Sequence, residues 1–99
     1  MIYNISITAD KDSINLGETF TVTYACSGAY YTTIQGDNMP NAVSLPPGDV
    51  SGTMKFLPVT DGSFTVYLTA FGVVHQYKPG ADNNAEVETN VAQVSVTVS

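Results

Sequence analysis

The sequence predicts an all-β chain folded as an antiparallel β-sandwich. Three observations carry that expectation. Phe20, Val22, Tyr24 and Cys26 alternate with Thr19, Thr21 and Thr23, the period of a strand that buries one face. The same period returns over residues 64–70 and 92–98. No window shows a 3.6-residue apolar stripe with a cap, so no helix is expected. A chain of 99 residues makes one domain, 1–99. A domain of that size buries roughly 60 to 68% of its unfolded surface, which is enough for one thin core.

The elements follow in order. The first strand spans residues 3–8, with Tyr3, Ile5 and Ile7 on one face. A turn follows at 10–13, and Ile14-Asn15-Leu16 is a short continuation that switches sheets. Gly17-Glu18 leads into the second strand at 19–26, which Ser27-Gly28 ends. Residues 29–35 hold Tyr30, Tyr31, Thr32, Thr33 and Ile34, all strand formers, and make the third strand. The composition of 36–41 is that of a loop, and 42–45 forms a short edge strand before the turn at Pro46-Pro47-Gly48-Asp49. Met54 and Phe56 share a face in a strand over 51–57, and residues 58–62 make the next corner. The penultimate strand starts at Ser63 and runs at least to Phe71, and the last strand ends at the C-terminus.

The one irregular part is 72–91. Residues 73–77 and 85–89 are strand-like, and 78–84 carry turn chemistry. The last two strands are therefore expected to run past the sandwich body as a long hairpin with its tip near 79–84. Val87 and Val91 have opposite parity to Val94 and Val96, which predicts a bulge between Asn90 and Ala92.

Composition excludes several functions. Net charge is −6, only 12% of residues are charged, and the basic residues are three lysines with no arginine. Such a chain cannot neutralise a run of phosphates, so nucleic acid is not an expected partner. The acidity is read as a device for solubility. No apolar run approaches the length needed to span a membrane, so no membrane insertion is expected. Met1-Ile2-Tyr3-Asn4 lacks a basic start and an apolar middle, so no secretory leader is expected. Cys26 is the only cysteine, so no intrachain disulfide forms and packing alone must hold the domain. It follows the inward parity of its strand and reads as a buried thiol.

Several segments together resemble the bacterial immunoglobulin-like domains found in tandem in surface proteins and in phage structural proteins. They are residues 14–18, 20–24, the Ser27-Gly28-Ala29 turn, the Gly52 strand, 57–70 and 94–98. The corner at 57–70 is also similar to that of fibronectin type III domains. The resemblance implies an immunoglobulin-like sandwich of about seven strands with a long hairpin between the last two, F and G in the usual lettering. It implies a core aromatic in the second or third strand, a role open to Tyr24 or Tyr31. Such domains often tie the corner before strand F with a tyrosine hydroxyl. Phe64 stands there, so apolar packing must hold that end. The segment 72–91 departs from the pattern.

Asp82, Asn83, Asn84, Glu86 and Glu88 bring oxygen ligands together, as calcium requires. The spacing is not that of an EF-hand, and a solvated hairpin tip accounts for the residues equally well. The chain is therefore read as having no cofactor and no metal, with calcium kept as the alternative. Asp10, Asp12 and the tip acids do not make a catalytic carboxylate pair, because they lie in turns with no cleft to raise one pKa. The chain is read as no enzyme. Tyr30, Tyr31 and Tyr77 lie outside the surest core positions, and adjacent tyrosines in a strand point to opposite faces, so one of Tyr30 and Tyr31 is expected to be exposed. Val73, Val74, Val87 and Val91 sit on a projecting hairpin and must be buried on the domain's own flank or on a neighbour.

The reading that follows is a non-catalytic attachment module. The expected partner-binding residues are Val74, His75, Tyr77, Val87 and Glu88. If Met1 is the native start, the chain is made whole in the host cytoplasm and is expected on a virion surface. There it would serve as a capsid decoration protein or a head or tail accessory protein docked on a phage capsid or tail protein, with a homo-oligomer as a further option. If Met1 was added, the alternative is a spacer or glycan-binding domain from an extracellular bacterial adhesin or glycoside hydrolase.

Overall fold

The computed structural model describes the backbone of residues 3–74 and 86–99, and the side chains of 4–72 and 89–99. The described residues form eight strands and no helix: β1 (Tyr3–Ala9), β2 (Ser13–Ile14), β3 (Phe20–Ser27), β4 (Tyr31–Gly36), β5 (Val43–Ser44), β6 (Val50–Phe56), β7 (Gly62–Val74) and β8 (Glu86–Val98). They make two sheets, one of three strands in the order β1-β3-β6 and one of five in the order β2-β8-β7-β4-β5. No helix is long and apolar enough to cross a membrane among the described residues.

The two sheets bury a common core. Ile7, Phe20, Val22 and Phe56 enter it from the three-stranded sheet, and Ile14, Ile34, Phe64, Val66, Leu68, Val96 and Val98 from the other. Thr21, Thr23, Thr65 and Thr97 occupy the intervening positions, as the two-residue period of a strand requires. The core is thickest near the β6–β7 corner. Phe20 and Phe56 are direct cross-strand partners whose rings stack at 5.7 Å, and Phe64 meets Phe20 edge-on at 5.6 Å from the opposite sheet. Pro58 is fully buried in the same corner. Apolar packing thus holds this end, as the absence of a corner tyrosine implied. At the other end small residues meet: Cys26, Ala29 and Ala70 form a separate cluster, with Ile5 and Val50 packed against it.

Two glycines are required by neighbouring rings. A Cβ at Gly36 would stand 2.7 Å from the Phe56 ring and 3.1 Å from Phe64. One at Gly52 would stand 2.9 Å from the Tyr24 hydroxyl. Tyr24 therefore lies over its cross-strand partner Gly52 and packs against the core. Of Tyr24 and Tyr31, only Tyr24 packs against the core, and Tyr31 is 37% exposed.

Three expectations need correction. The sandwich is not wholly antiparallel, since β2 runs parallel to β8, with Ser13 opposite Thr97 and Ile14 opposite Val98. The chain crosses from one sheet to the other between β1 and β2, which is the expected switch, one residue earlier than placed. The bulge between Asn90 and Ala92 is absent, because β7 and β8 pair without interruption from Gly62–Val98 to Val74–Glu86. The change in valine parity is instead a change of exposure: Val91 points outward and is 57% exposed. A register shift does occur in β1, between Tyr3 and Ser6, where Asn4 adopts φ 51°. Asparagine tolerates that left-handed conformation better than most residues. Finally, Tyr30 and Tyr31 are both exposed, at 66% and 37%. Tyr30 precedes β4, so the strand alternation that separates adjacent residues does not apply to it.

Thr32 is fully buried and its hydroxyl has no hydrogen-bond partner. An unpartnered buried hydroxyl costs about 1–3 kcal/mol. Thr32→Val is therefore expected to raise the free energy of unfolding in urea by about 1 kcal/mol, and a loss would show that the hydroxyl is satisfied. Gly36→Ala is expected to lower the same quantity by about 1–3 kcal/mol through overpacking against the phenylalanines. A neutral or stabilising Gly36→Ala would mean that the ring cluster yields.

Candidate functional site

The hairpin is built by β7 and β8. The last β4 partner on β7 is Phe71, opposite Tyr31. Beyond it β7 pairs with β8 alone, through Gly72–Glu88, Val73–Val87 and Val74–Glu86. A two-stranded ribbon thus leaves the five-stranded sheet. At about 3.4 Å per residue, each 13-residue strand extends about 44 Å, in a molecule measuring 59 × 21 × 18 Å. Of the expected partner-binding residues, Val74, Val87 and Glu88 are placed on this ribbon by register. His75 and Tyr77 lie outside the described residues, as do Asp82, Asn83 and Asn84 of the calcium reading. Among the described residues no cluster of three metal-ligating side chains occurs.

A second surface contains Tyr30 and Tyr31, candidates from the sequence, together with residues that were not. On β7, Phe64, Val66, Leu68 and Ala70 point inward and are buried, so Tyr67, Thr69 and Phe71 face outward. The register then sets cross-strand rungs. Tyr31, Phe71 and Thr89 form one; Thr33, Thr69 and Val91 the next; Gln35, Tyr67 and Gln93 the third. Tyr31 stacks on Phe71 with centroids 4.6 Å apart and planes at 15°. Tyr30 stands at 80° to Tyr31, 6.0 Å away. Tyr67 is 38% exposed two rungs below. The signal for this surface was present, since Tyr67 and Phe71 have the parity opposite to Phe64, Val66 and Leu68. It goes unnoticed when only the inward set is read.

The acids of the described loops act on the backbone. Asp10 Oδ1 accepts from the Thr21 amide at 2.8 Å, Asp49 Oδ1 from Gly28 at 2.9 Å, and Asp37 Oδ2 from Thr65 at 2.7 Å. Glu18 Oε1 closes its own turn by accepting from Asn15 at 2.7 Å. Each carboxylate satisfies an amide that would otherwise lack a partner. A cleft of about 180 Å³ lies at the β6–β7 corner, lined by Asp37, Asn38, Val59, Thr60, Ser63 and Phe64. Its single carboxylate is the one bound to Thr65, so the cleft contains no acid–base pair.

Cys26 is buried. Burial pushes its thiol above the ordinary value of 9.0; the Thr32 hydroxyl beside it works in the opposite direction, and the Asp49 charge adds to the rise. Sulfur is a weak acceptor, and the Thr32 hydroxyl makes no well-formed hydrogen bond, so burial prevails. A raised thiol is a poor nucleophile at neutral pH.

Compared with known protein families, curated proteins and solved structures, the chain matches none.

The Cys26 shift gives a signed expectation. Its folded-state pKa is raised, so its contribution to stability is fully present below about pH 9 and is lost as pH rises through the folded value. The stability gap between wild type and Cys26→Ala is expected to narrow as urea unfolding is repeated at pH 8, 9 and 10. A gap that widens would reverse the assigned direction.

Proposed function

We propose that this chain is a non-catalytic attachment module with an immunoglobulin-like fold, and that it serves as a virion component docked on a phage capsid or tail protein. The strand order supports the immunoglobulin-like reading. β3 lies beside β6, and β8-β7-β4 run in sequence in the other sheet, which corresponds to the B–E and G-F-C neighbours of such sandwiches. The sheet switch between β1 and β2 is compatible with the same plan. The observation that carries the attachment reading is the β7–β8 ribbon. Its ladder continues for three pairs after β4 has ended. A ribbon of this kind docks by side-chain packing or by adding its strands to a neighbouring sheet. The free, buried Cys26 suits a domain that folds in a reducing cytosol and needs no disulfide.

Wild-type chain is expected to co-sediment with assembled particles. A variant lacking residues 76–86 is expected to keep its β-type dichroism and cooperative unfolding but to remain in the supernatant. Normal co-sedimentation of that variant would assign attachment to another surface. Failure of the wild type to co-sediment would remove the virion reading.

A further inference from the structure

The outer face of the five-stranded sheet differs in composition from the rest of the molecule. The chain carries a net charge of −6, yet none of the described residues that face outward from β4, β5, β7 and β8 is charged. The face instead presents aromatic rings among neutral amides and hydroxyls. The outer face of the other sheet provides an internal comparison. Thr21, Thr23, Ser51 and Thr53 alternate there with the buried set, and Lys55 adds one charge. Among the side chains described on that face there are hydroxyls but no aromatic ring, and Tyr3, opposite Ser27, is placed there by its backbone alone. The described part of that face is thus solvated without rings.

We propose that this face binds a neutral polysaccharide, with Tyr31 and Tyr67 as stacking platforms and Tyr30 as an upright wall beside the first. A pyranose ring has a C–H-bearing face that lies against an aromatic ring and an edge of hydroxyls that both donate and accept. Tyrosine supplies the apolar face together with a polar tip. Gln35 and Gln93 flank Tyr67 in its rung, and a glutamine side chain offers both a donor pair and an acceptor. Along β7 the two platforms are separated by the four residues from Phe71 to Tyr67, about 13 Å, so the ligand that engages both is a chain of sugars and not a single ring.

Charge decides against two other occupants. Nucleic acid stacks on such platforms only with a cationic groove beside them, and no described residue of this face is a cation. An anionic polysaccharide meets the net negative charge of the chain. A protein interface shares the tyrosines and the lack of charge, but it concentrates apolar residues at its centre and is depleted in serine. Here the rung between the two platforms is Thr33, Thr69 and Val91, with Ser44 beside Thr33, which is mostly hydroxyl. The inference goes beyond attachment through the ribbon and does not depend on it, because the Tyr31 and Tyr67 rungs are still paired with β4.

The test is native gel electrophoresis through gels containing starch, a mixed-linkage β-glucan, a galactomannan or polygalacturonate, with sedimentation velocity in parallel. Wild type is expected to be retarded in at least one neutral gel and not in polygalacturonate. The double variant Tyr31→Ala/Tyr67→Ala is expected to be retarded about tenfold less, since a ring contact of this kind is worth a tenfold factor or so. Tyr31→Phe and the opposite-face variant Thr23→Ala are expected to behave as wild type. Both tyrosines are more than a third exposed, and unchanged thermal unfolding of the double variant confirms that only the face has changed. The proposal is overturned by free migration of wild type in every neutral gel, by retardation that the double variant retains, or by retardation in polygalacturonate alone. It is also overturned if the tyrosines support self-association in sedimentation without any sugar effect, which would make the face an interface between copies.

Discussion

The contact among Phe20, Phe56 and Phe64 is the constraint from which the rest of the structure follows. The chain has no disulfide and 99 residues, so two sheets must be held together by side chains alone. Phe20 and Phe56 pair within one sheet, and Phe64 reaches them from the other. Their volume sets the separation of the sheets at that end and leaves no room for a side chain at Gly36. The turn after Gly36 is then fixed from both sides. Met39 donates to the Gly36 carbonyl at 3.0 Å, and the Asp37 carboxylate accepts from β7. At the far end the smaller Cys26, Ala29 and Ala70 form a cluster of their own. Rings fill the corner, and small side chains fill the end where the β7–β8 ladder runs on past β4.

This arrangement explains an economy of charge. A domain with so few charged residues uses at least four of its acids to hold backbone amides at turns. Asp10, Asp37 and Asp49 each reach across to a different strand or loop, spanning 11, 28 and 21 residues of sequence. These carboxylates fasten loops to the sheets where a larger domain would rely on a deeper core. The sheet faces are left to threonine, serine and glutamine, which are compatible with strand geometry and with water.

Much of this was legible in the sequence. Alternation located all the long strands within one or two residues, and parity correctly assigned Phe20, Val22, Cys26, Phe64, Val66 and Leu68 to the interior. The sheet switch after β1 was also legible. The expected bulge between Asn90 and Ala92 rests on the assumption that every apolar residue in a strand points inward. Val91 breaks it, because the uninterrupted ladder of β7 and β8 holds Val91 outward against Thr69. Backbone hydrogen bonding across thirteen pairs outweighs the exposure of a single valine. Tyr30 evaded the same logic by standing just before β4, where its amide bonds to the Phe71 carbonyl at 2.8 Å. The register shift at Asn4 had no apolar signature at all. It is visible only as a left-handed residue, and an asparagine among strand formers gives no warning of that.

The aromatic face was hidden for a related reason. Reading a strand for its core discards the other half of its residues, and a surface site on a sheet is made only of that half. Tyr31 is close to Phe71 and Thr89 through pairing across forty and eighteen residues of sequence, so no local window contains a rung. The face becomes apparent once the register is known, and the same register separates it from the ribbon. Rungs as far as Tyr31–Phe71 are braced by β4, whereas those beyond are braced by their partner strand alone. The proposed sugar platforms fall on the braced part, and the proposed attachment on the unbraced part. One pair of long strands therefore carries a braced face and an unbraced ribbon, and the end of β4 divides them.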